Sequence, residues 1–232
     1  MSLLRGRLLV VSTPIGNLGD LSPRGREALE QADLVACEDT RRTGWLLSQL
    51  GIRRPMLSLN DHNERSRLPR LLALLEEGKT VALVSDAGTP LVSDPGFALV
   101  RAAIELGARV EPVPGASAIL TALVASGLPP YPFTFAGFPP PRAGKRRAFF
   151  RELAPLPHTV IFFESPHRLL ASLEDARHEL GDRPAALGRE LTKLYEEVLR
   201  GRLSEIEAEL AGRPAIKGEL VLVVGRAEKA PG

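Results

Sequence analysis

The stretch TVALVSDAGTPLVSDPGFALVRAAIELGARVEPV, residues 80–113, decides the fold. Thr80 to Val84 is a continuously apolar run of strand length. Phe97 to Leu106 has the length of a helix and stops at Gly107, and Arg109 to Val113 reads as a second strand. Strand, helix and strand in that order make a parallel crossover unit. Strands without polar alternation belong to a sheet covered on both faces.

The same grammar continues towards the N-terminus. Leu34 to Cys37 and Met56 to Leu59 read as short strands, and Leu8 to Ser12 as the first. Ser22 followed by Pro23 predicts a capped helix to about Ala32, because proline suits the first helical position. Thr40 can cap a helix to Leu50. Leu68, Leu71, Leu72 and Leu75 recur at i, i+3, i+4, i+7, one face of a helix that Gly78 stops.

Beyond Val113 the pattern changes. Pro112-Val113-Pro114-Gly115 is the candidate linker, followed by an Ala-rich helix to Ser126. Strands are expected at Phe133 to Gly137, Thr159 to Phe163, Ala185 to Gly188, Glu197 to Arg200 and Glu219 to Val224. A basic helix starts near Gly144, another at Ser165-Pro166 ends near Gly181, and Ser204-x-x-Glu207 has the form of a capping box. The expected class is α/β, with two α/β domains at 1–113 and 114–232. Residues Glu228 to Gly232 read as an untethered tail.

Composition excludes several classes. At 44% hydrophobic and 25% charged, the 232-residue chain matches a folded globular protein rather than a disordered or fibrous one. A single cysteine, Cys37, rules out an internal disulfide framework and is expected in the core. His62, His158, His167 and His178 show no metal-ligand spacing, so no metal is expected. Residues 112–141 carry no charge, but prolines interrupt them, and Gly115 to Leu128 falls short of the ~20 residues of a membrane span. The N-terminal residues lack the plan of a signal peptide. A cytoplasmic protein without membrane contact is expected.

Net charge is only +2, yet 25 of the 30 basic residues are arginine, whose planar fork suits phosphates and carboxylates. Five basic residues without an acid occupy residues 142–151: Arg142, Lys145, Arg146, Arg147 and Arg151. Arg41-Arg42 forms a smaller basic pair. Such placement suits a phosphate backbone. An ordinary solvated helix face would look the same.

Three loops at expected strand ends are rich in Gly, Pro and small hydroxyl residues. They are Thr13 to Asp20, Ser85 to Pro90 and Pro114 to Ala118. Ligands of open α/β sheets bind at such ends. None of the loops contains Lys or Arg, and two carry Asp. The first lacks the GxGxxG of a dinucleotide site, and Gly78-Lys79-Thr80 lacks the upstream glycine of a P-loop. A ligand with amino, hydroxyl and sulfonium groups fits better than a phosphate chain.

Seven ordered motifs then carry a resemblance over nearly the whole chain: VSTPIGNLGDLSPRG, CEDTRRT, VSDAGTPLVSDPG, VPGASA, FFESPHR, RELTKLYEE and KGELVLV. The sequence closely resembles the bacterial 16S rRNA 2′-O-ribose cytidine methyltransferases, a branch of the tetrapyrrole (corrin/porphyrin) methylase superfamily. The resemblance implies a cleft between two α/β domains that holds S-adenosyl-L-methionine, and a homodimer. It implies cofactor contacts at Pro14, Ile15 and Gly16, at Asp86, Gly88 and Thr89, and at Gly115, Ala116 and Ser117. From the second domain it adds Glu164, Ser165, Glu190 and Thr192. The implied target is cytidine 1402 in the decoding centre of the small ribosomal subunit. The basic residues named above would then face RNA.

Attack by a ribose 2′-hydroxyl calls for a proton acceptor or a cation beside the developing oxyanion. Glu38, Asp39, Arg41, Glu190 and Lys193 are the candidates, and structural ion pairing is an equal reading for Glu38 and Glu190. Two other functions stay open at this stage: a C-methyltransferase of tetrapyrrole precursors, and an RNA-binding relative with a dead cofactor pocket.

Overall fold

The computed structural model describes residues 5–227, and the expected tail at 228–232 lies outside them. The chain divides into two compact units, Met1–Ser117 and Ala118–Gly232. Pro114 to Ser117, the stretch that follows the last strand, thus falls in the first unit, four residues beyond the expected boundary at Val113.

The first unit is a five-stranded parallel sheet of β1 (Arg7–Val11), β2 (Leu34–Cys37), β3 (Met56–Ser58), β4 (Thr80–Val84) and β5 (Arg109–Val113), in the order β3-β2-β4-β1-β5. Its helices are α1 (Pro23–Gln31), α2 (Thr40–Gln49), α3 (Glu64–Glu76) and α4 (Phe97–Leu106). Every residue of the central strand β4 is buried. Its alternate side chains feed two cores. Val81 and Leu83 pack with Leu71 and Leu75 of α3 and Leu99 and Ala103 of α4. Ala82 and Val84 pack with Ala28 and Leu29 of α1 and Leu47 of α2. Cys37 belongs to that second core, and burial pushes its thiol up to about 11.

In the first unit capping differs in one place from the sequence reading. Ser22 caps α1 as expected, its hydroxyl accepting the Gly25 N–H at 3.0 Å. The cap of α2 is Asp39 and not Thr40: the carboxylate accepts the Arg41 N–H at 2.8 Å, and a charged acceptor outcompetes the threonine hydroxyl there.

The second unit is a mixed sheet of β6 (Phe133–Phe135), β7 (Thr159–Glu164), β8 (Pro184–Arg189), β9 (Glu197–Arg202) and β10 (Leu220–Val224), in the order β6-β7-β10-β8-β9. Only β6 and β7 run parallel. The fully buried β10 lies in the middle. Helices α6 (Ala143–Leu153), α7 (Leu169–Leu180) and α8 (Leu203–Ala211) bury Phe150, Leu173 and Ile206 against it. Helix α5 (Ala118–Ser126) packs on β8 and β10.

Two helix starts differ from expectation. Ser165-Pro166 forms a turn, and α7 begins only at Leu169, because Glu164 accepts the Ser165 N–H and holds the chain off helical geometry. The expected capping box at Ser204 and Glu207 does not form. Glu205 accepts the Arg202 N–H at 2.7 Å, the Ser204 hydroxyl donates to Asp182, and Glu207 pairs with Arg177.

Candidate active site

Chain direction across the first sheet locates the site. The connections from β1 to β2 and from β2 to β3 step one way, with α1 and α2 on one face. Those from β3 to β4 and from β4 to β5 step back, with α3 and α4 on the other. A reversal of direction with a change of face keeps every crossover right-handed. Strands β1 and β4 are neighbours whose chains leave to opposite faces. This is a topological switch point, with a crevice outside their carboxyl ends.

The three small-residue loops meet there. Thr13 and Gly88 exchange both backbone hydrogen bonds, at 2.9 and 3.0 Å. Beneath that bridge lies a chain of buried or half-buried hydroxyls. Ser12 Oγ and Thr89 Oγ1 lie 3.1 Å apart, Thr89 donates to the Ala116 carbonyl at 3.4 Å, and Thr13 donates to the Ser85 carbonyl at 3.2 Å. Their polar atoms are thus satisfied within the protein, so burial costs little and the loops hold one shape.

Glycine is required at two points in them. Gly88 has φ +80°, and a Cβ on it would lie 3.3 Å from Ile15 Cγ2; a Cβ on Gly115 would lie 3.0 Å from Ser12 Cβ. Ile15 is buried against this turn, while Pro14, Gly16, Ala116 and Ser117 line its open side.

Acidic side chains surround the ends of β2 and β4. Asp86 accepts the Asp39 N–H at 3.1 Å through Oδ1, and its Oδ2 faces Arg42 Nε at 3.5 Å. Arg41 grips Asp39 with Nε at 3.0 Å and Nη2 at 2.6 Å and holds its carboxyl down at about 2. Glu38 is shifted the opposite way: burial, then the negative charges of Asp86, Asp94 and Asp61, raise it, and Arg42 opposes them only weakly.

Asp94 was not among the sequence candidates. Burial, with Asp86 and Asp61 nearby, pushes it up to about 6 against the hydrogen bond offered by Ser85. It sits in the β4–α4 loop beside Leu91 and Ser93, at φ 73° and 67°, a conformation that costs non-glycine residues on the order of 1–3 kcal/mol each.

In the second unit, Glu164, Ser165, Glu190, Thr192 and Lys193 gather at one edge of the sheet, where Glu164, Leu220 and Arg189 are in register across β7, β10 and β8. Glu164 is fully buried. Its Oε1 takes the Ser165 N–H at 2.7 Å and Arg168 Nη2 at 2.9 Å, while Oε2 has no partner among the described residues, nor has the buried Thr192 Oγ1. Glu190 accepts Lys193 Nζ at 2.8 Å and the Glu219 N–H at 2.9 Å, which lowers its pKa. Burial works against the Lys193 ammonium, yet Glu190 and Glu219 keep its pKa above the ordinary value, so neither partner is poised to accept a proton.

The basic segment needs one correction. Arg146 does not face outward: it is 6% exposed, with Nη2 2.6 Å from Asp175 and Nη1 donating to the Pro141 carbonyl. Arg146 shares the inner face of α6 with Phe150, one turn on, and Asp175 of α7 supplies the charge that makes its burial tolerable. Arg147 pairs with the same Asp175, and Arg151 with Glu179. Arg142 and Lys145 are exposed and make no ion pair among the described residues, and Arg41 and Arg42 also reach solvent. The described residues contain no cluster of three or more metal-ligating side chains and no helix long and apolar enough to cross a membrane.

Parallel α/β unit, switch-point loops with buried hydroxyls, and a second mixed-sheet unit together define a two-unit α/β protein that binds a small ligand without a phosphate cradle. The chain belongs to the Tetrapyrrole (Corrin/Porphyrin) Methylases, whose family model matches residues 7–207. It is 51% identical over 225 residues to the ribosomal RNA small subunit methyltransferase I of Micromonospora olivasterospora, covering 97% of this chain and 72% of the relative. It is 48% identical over 222 residues to the enzyme of that name from Escherichia coli O157:H7, covering 95% and 78%. Among solved structures, uroporphyrin-III-C-methyltransferase from Thermus thermophilus superposes with a TM-score of 0.66 at 25% identity, over 96% of this chain and 95% of that one. The methyltransferase CobJ reaches 0.71 at 21% identity, over 97% of each, a likeness of fold alone.

Proposed function

We propose that this chain transfers a methyl group from S-adenosyl-L-methionine to the ribose 2′-oxygen of the decoding-centre cytidine of 16S rRNA. The observation that carries this reading is the near-50% identity, over almost the entire chain, to several enzymes named ribosomal RNA small subunit methyltransferase I. The cofactor is S-adenosyl-L-methionine, which supplies an electrophilic methyl on a sulfonium. The loops fit it: they offer closely approachable backbone at Gly88 and Gly115, hydroxyls, the carboxylate of Asp86, and no Lys or Arg. Pro14, Ile15, Gly16, Asp86, Gly88, Thr89, Gly115, Ala116 and Ser117 would hold it in the first unit. In the second, Glu164, Ser165, Glu190 and Thr192 are proposed contacts, and the unpartnered Glu164 Oε2 and Thr192 Oγ1 await hydrogen-bonding groups.

Alignment of the ribose oxygen with the methyl is the main task of the protein, since positioning supplies on the order of 7–11 kcal/mol in favourable cases. Arg41, Arg42, Arg142 and Lys145 are the cations proposed to engage the rRNA backbone, with Arg147 and Arg151 contributing through their exposed edges. A homodimer is proposed as well. Phe97 and Ile104 on α4 are more than half exposed, an apolar surface that a second copy would cover. Light scattering tests that part.

Mass spectrometry of rRNA nucleosides with and without this protein tests the whole. The expected result is loss of one 2′-O-methylated cytidine when the protein is removed. Retention of that nucleoside, or loss of a methyl elsewhere, would overturn the reading. Calorimetry with S-adenosyl-L-methionine separates it from a dead pocket, which would release no binding heat.

A further inference from the structure

We propose that Asp94 is the group that accepts the proton of the ribose 2′-hydroxyl. The assignment rests on the proposed methyl transfer to a ribose and deepens it by naming the base. In the step, the 2′-oxygen forms a bond to the methyl carbon while the carbon–sulfur bond breaks. The 2′-hydroxyl proton passes to a carboxylate oxygen of Asp94, the sulfonium becomes a neutral thioether, and the carboxylic acid later returns its proton to water.

Geometry narrows the field first. Of the acids and cations suggested by sequence, Asp39 is gripped by Arg41, Glu190 and Lys193 are bound to each other, and Arg41 is a cation already paired. Asp86 has both oxygens engaged, by the Asp39 N–H and by Arg42. Glu164 is held by Arg168 through Oε1, and its free Oε2 is a proposed cofactor contact in the second unit. Glu38 and Asp94 remain at the crevice end of the first sheet, and neither makes an ion pair among the described residues. Asp94 stands on the same loop as Asp86 and Thr89, within ten positions along the chain. Ser93 precedes it in the left-handed region, and Gly96 follows at φ +115°, where a Cβ would lie 2.7 Å from Leu83 Cδ2. Glu64 Oε1 accepts the Ala98 N–H at 3.2 Å and fixes the start of α4 beyond it.

Electrostatics then agree with the geometry. The charged groups facing Asp94 are Asp86 and Asp61, Ser85 offers it a hydrogen bond, and Glu38 feels Asp94 in turn; Arg42, which acts on Glu38, already faces Asp86. A carboxyl raised to about 6 is ionised at neutral pH, yet is a better proton acceptor than an ordinary aspartate, the balance general-base catalysis requires.

The test is single-turnover methyl transfer to small ribosomal subunits lacking this methylation, followed from about pH 5 to about pH 9, with cofactor affinity measured in parallel by calorimetry. Asp94→Asn is expected to slow transfer by about 100-fold or more with cofactor affinity within about twofold of the wild type. The wild-type rate is expected to rise through about pH 6, and the variant to lose that limb. Asp94→Glu, which keeps a carboxylate, should recover part of the rate together with the limb. An Asp94→Asn variant that keeps the wild-type rate and limb overturns the assignment. So does one that loses cofactor binding in proportion to rate. A wild type that binds the donor and methylates no small-subunit rRNA overturns the underlying reading, and the assignment with it.

Discussion

Arg146 and Asp175 form a buried ion pair, 7% and 4% exposed at their side chains, in the middle of a segment whose composition advertises a nucleic-acid surface. The guanidinium reaches the carboxylate through Nε at 2.8 Å and Nη2 at 2.6 Å, while Arg147 holds the other oxygen at 2.6 Å. Burial disfavours the Asp175 charge, yet the two arginines hold its pKa below the ordinary value. Removal of Arg146 leaves a buried carboxylate with one half-exposed partner. Arg146→Met is expected to cost about 3 kcal/mol, at the low end for a broken buried pair because Arg147 remains. Urea unfolding measures that loss, and RNA affinity of the folded fraction should not change.

Arg142 and Lys145 are predicted to behave the opposite way. Both are exposed, so Arg142→Glu with Lys145→Glu should alter stability by no more than about 0.5 kcal/mol. Affinity for rRNA should fall, and the slope of log affinity against log salt should flatten by about 1.4 to 1.8, on the order of 0.7–0.9 for each phosphate contact removed. Filter binding at several salt concentrations gives the answer. An unchanged slope would place RNA elsewhere on the protein.

Asp94→Asn should make the protein more stable near neutral pH while it loses activity. The folded state raises this carboxyl from 3.8 to about 6, so above pH 6 the fold holds an ionised group that it disfavours. The unfolded chain bears no such penalty. Below about pH 4 the group is protonated in both states, and the advantage of the variant disappears. Thermal melts at about pH 7.5 and about pH 3.5 should therefore show a higher Tm only in the first.

Gly115→Ala probes the cofactor loops with less backbone disturbance than any change at Gly88, where a positive φ strains every side chain. The new methyl would crowd Ser12 Cβ at 3.0 Å and push apart the Ser12, Thr89 and Ala116 contacts. Cofactor affinity is expected to fall about tenfold, equivalent to about 1.4 kcal/mol. Calorimetry showing unaltered affinity would remove this loop from the site.

The first unit was readable from sequence because its signals are local. Apolar runs, Ser22-Pro23 and the leucine spacing from Leu68 to Leu75 each speak for residues within one or two turns, and parallel crossovers follow from their order. The mixed pairing of the second sheet was not readable, since β10 slots between β7 and β8 through contacts more than thirty residues apart. Arg146 misled for the same reason: its partner lies 29 positions away, although the i, i+4 spacing to Phe150 marked an inward face. Asp94 lay in plain view inside LVSDPG, but an acid between Ser and Pro reads as turn chemistry. Burial in the folded loop, with Asp86 and Asp61 close in space, raises its proton affinity.

The paired amide bonds between Thr13 and Gly88 weld two distant stretches of chain into one rim. Both partners in each bond are main-chain groups, so side chains on either stretch can change while the bridge itself persists. An incoming ligand therefore meets a shape already set, with little ordering left for binding to impose.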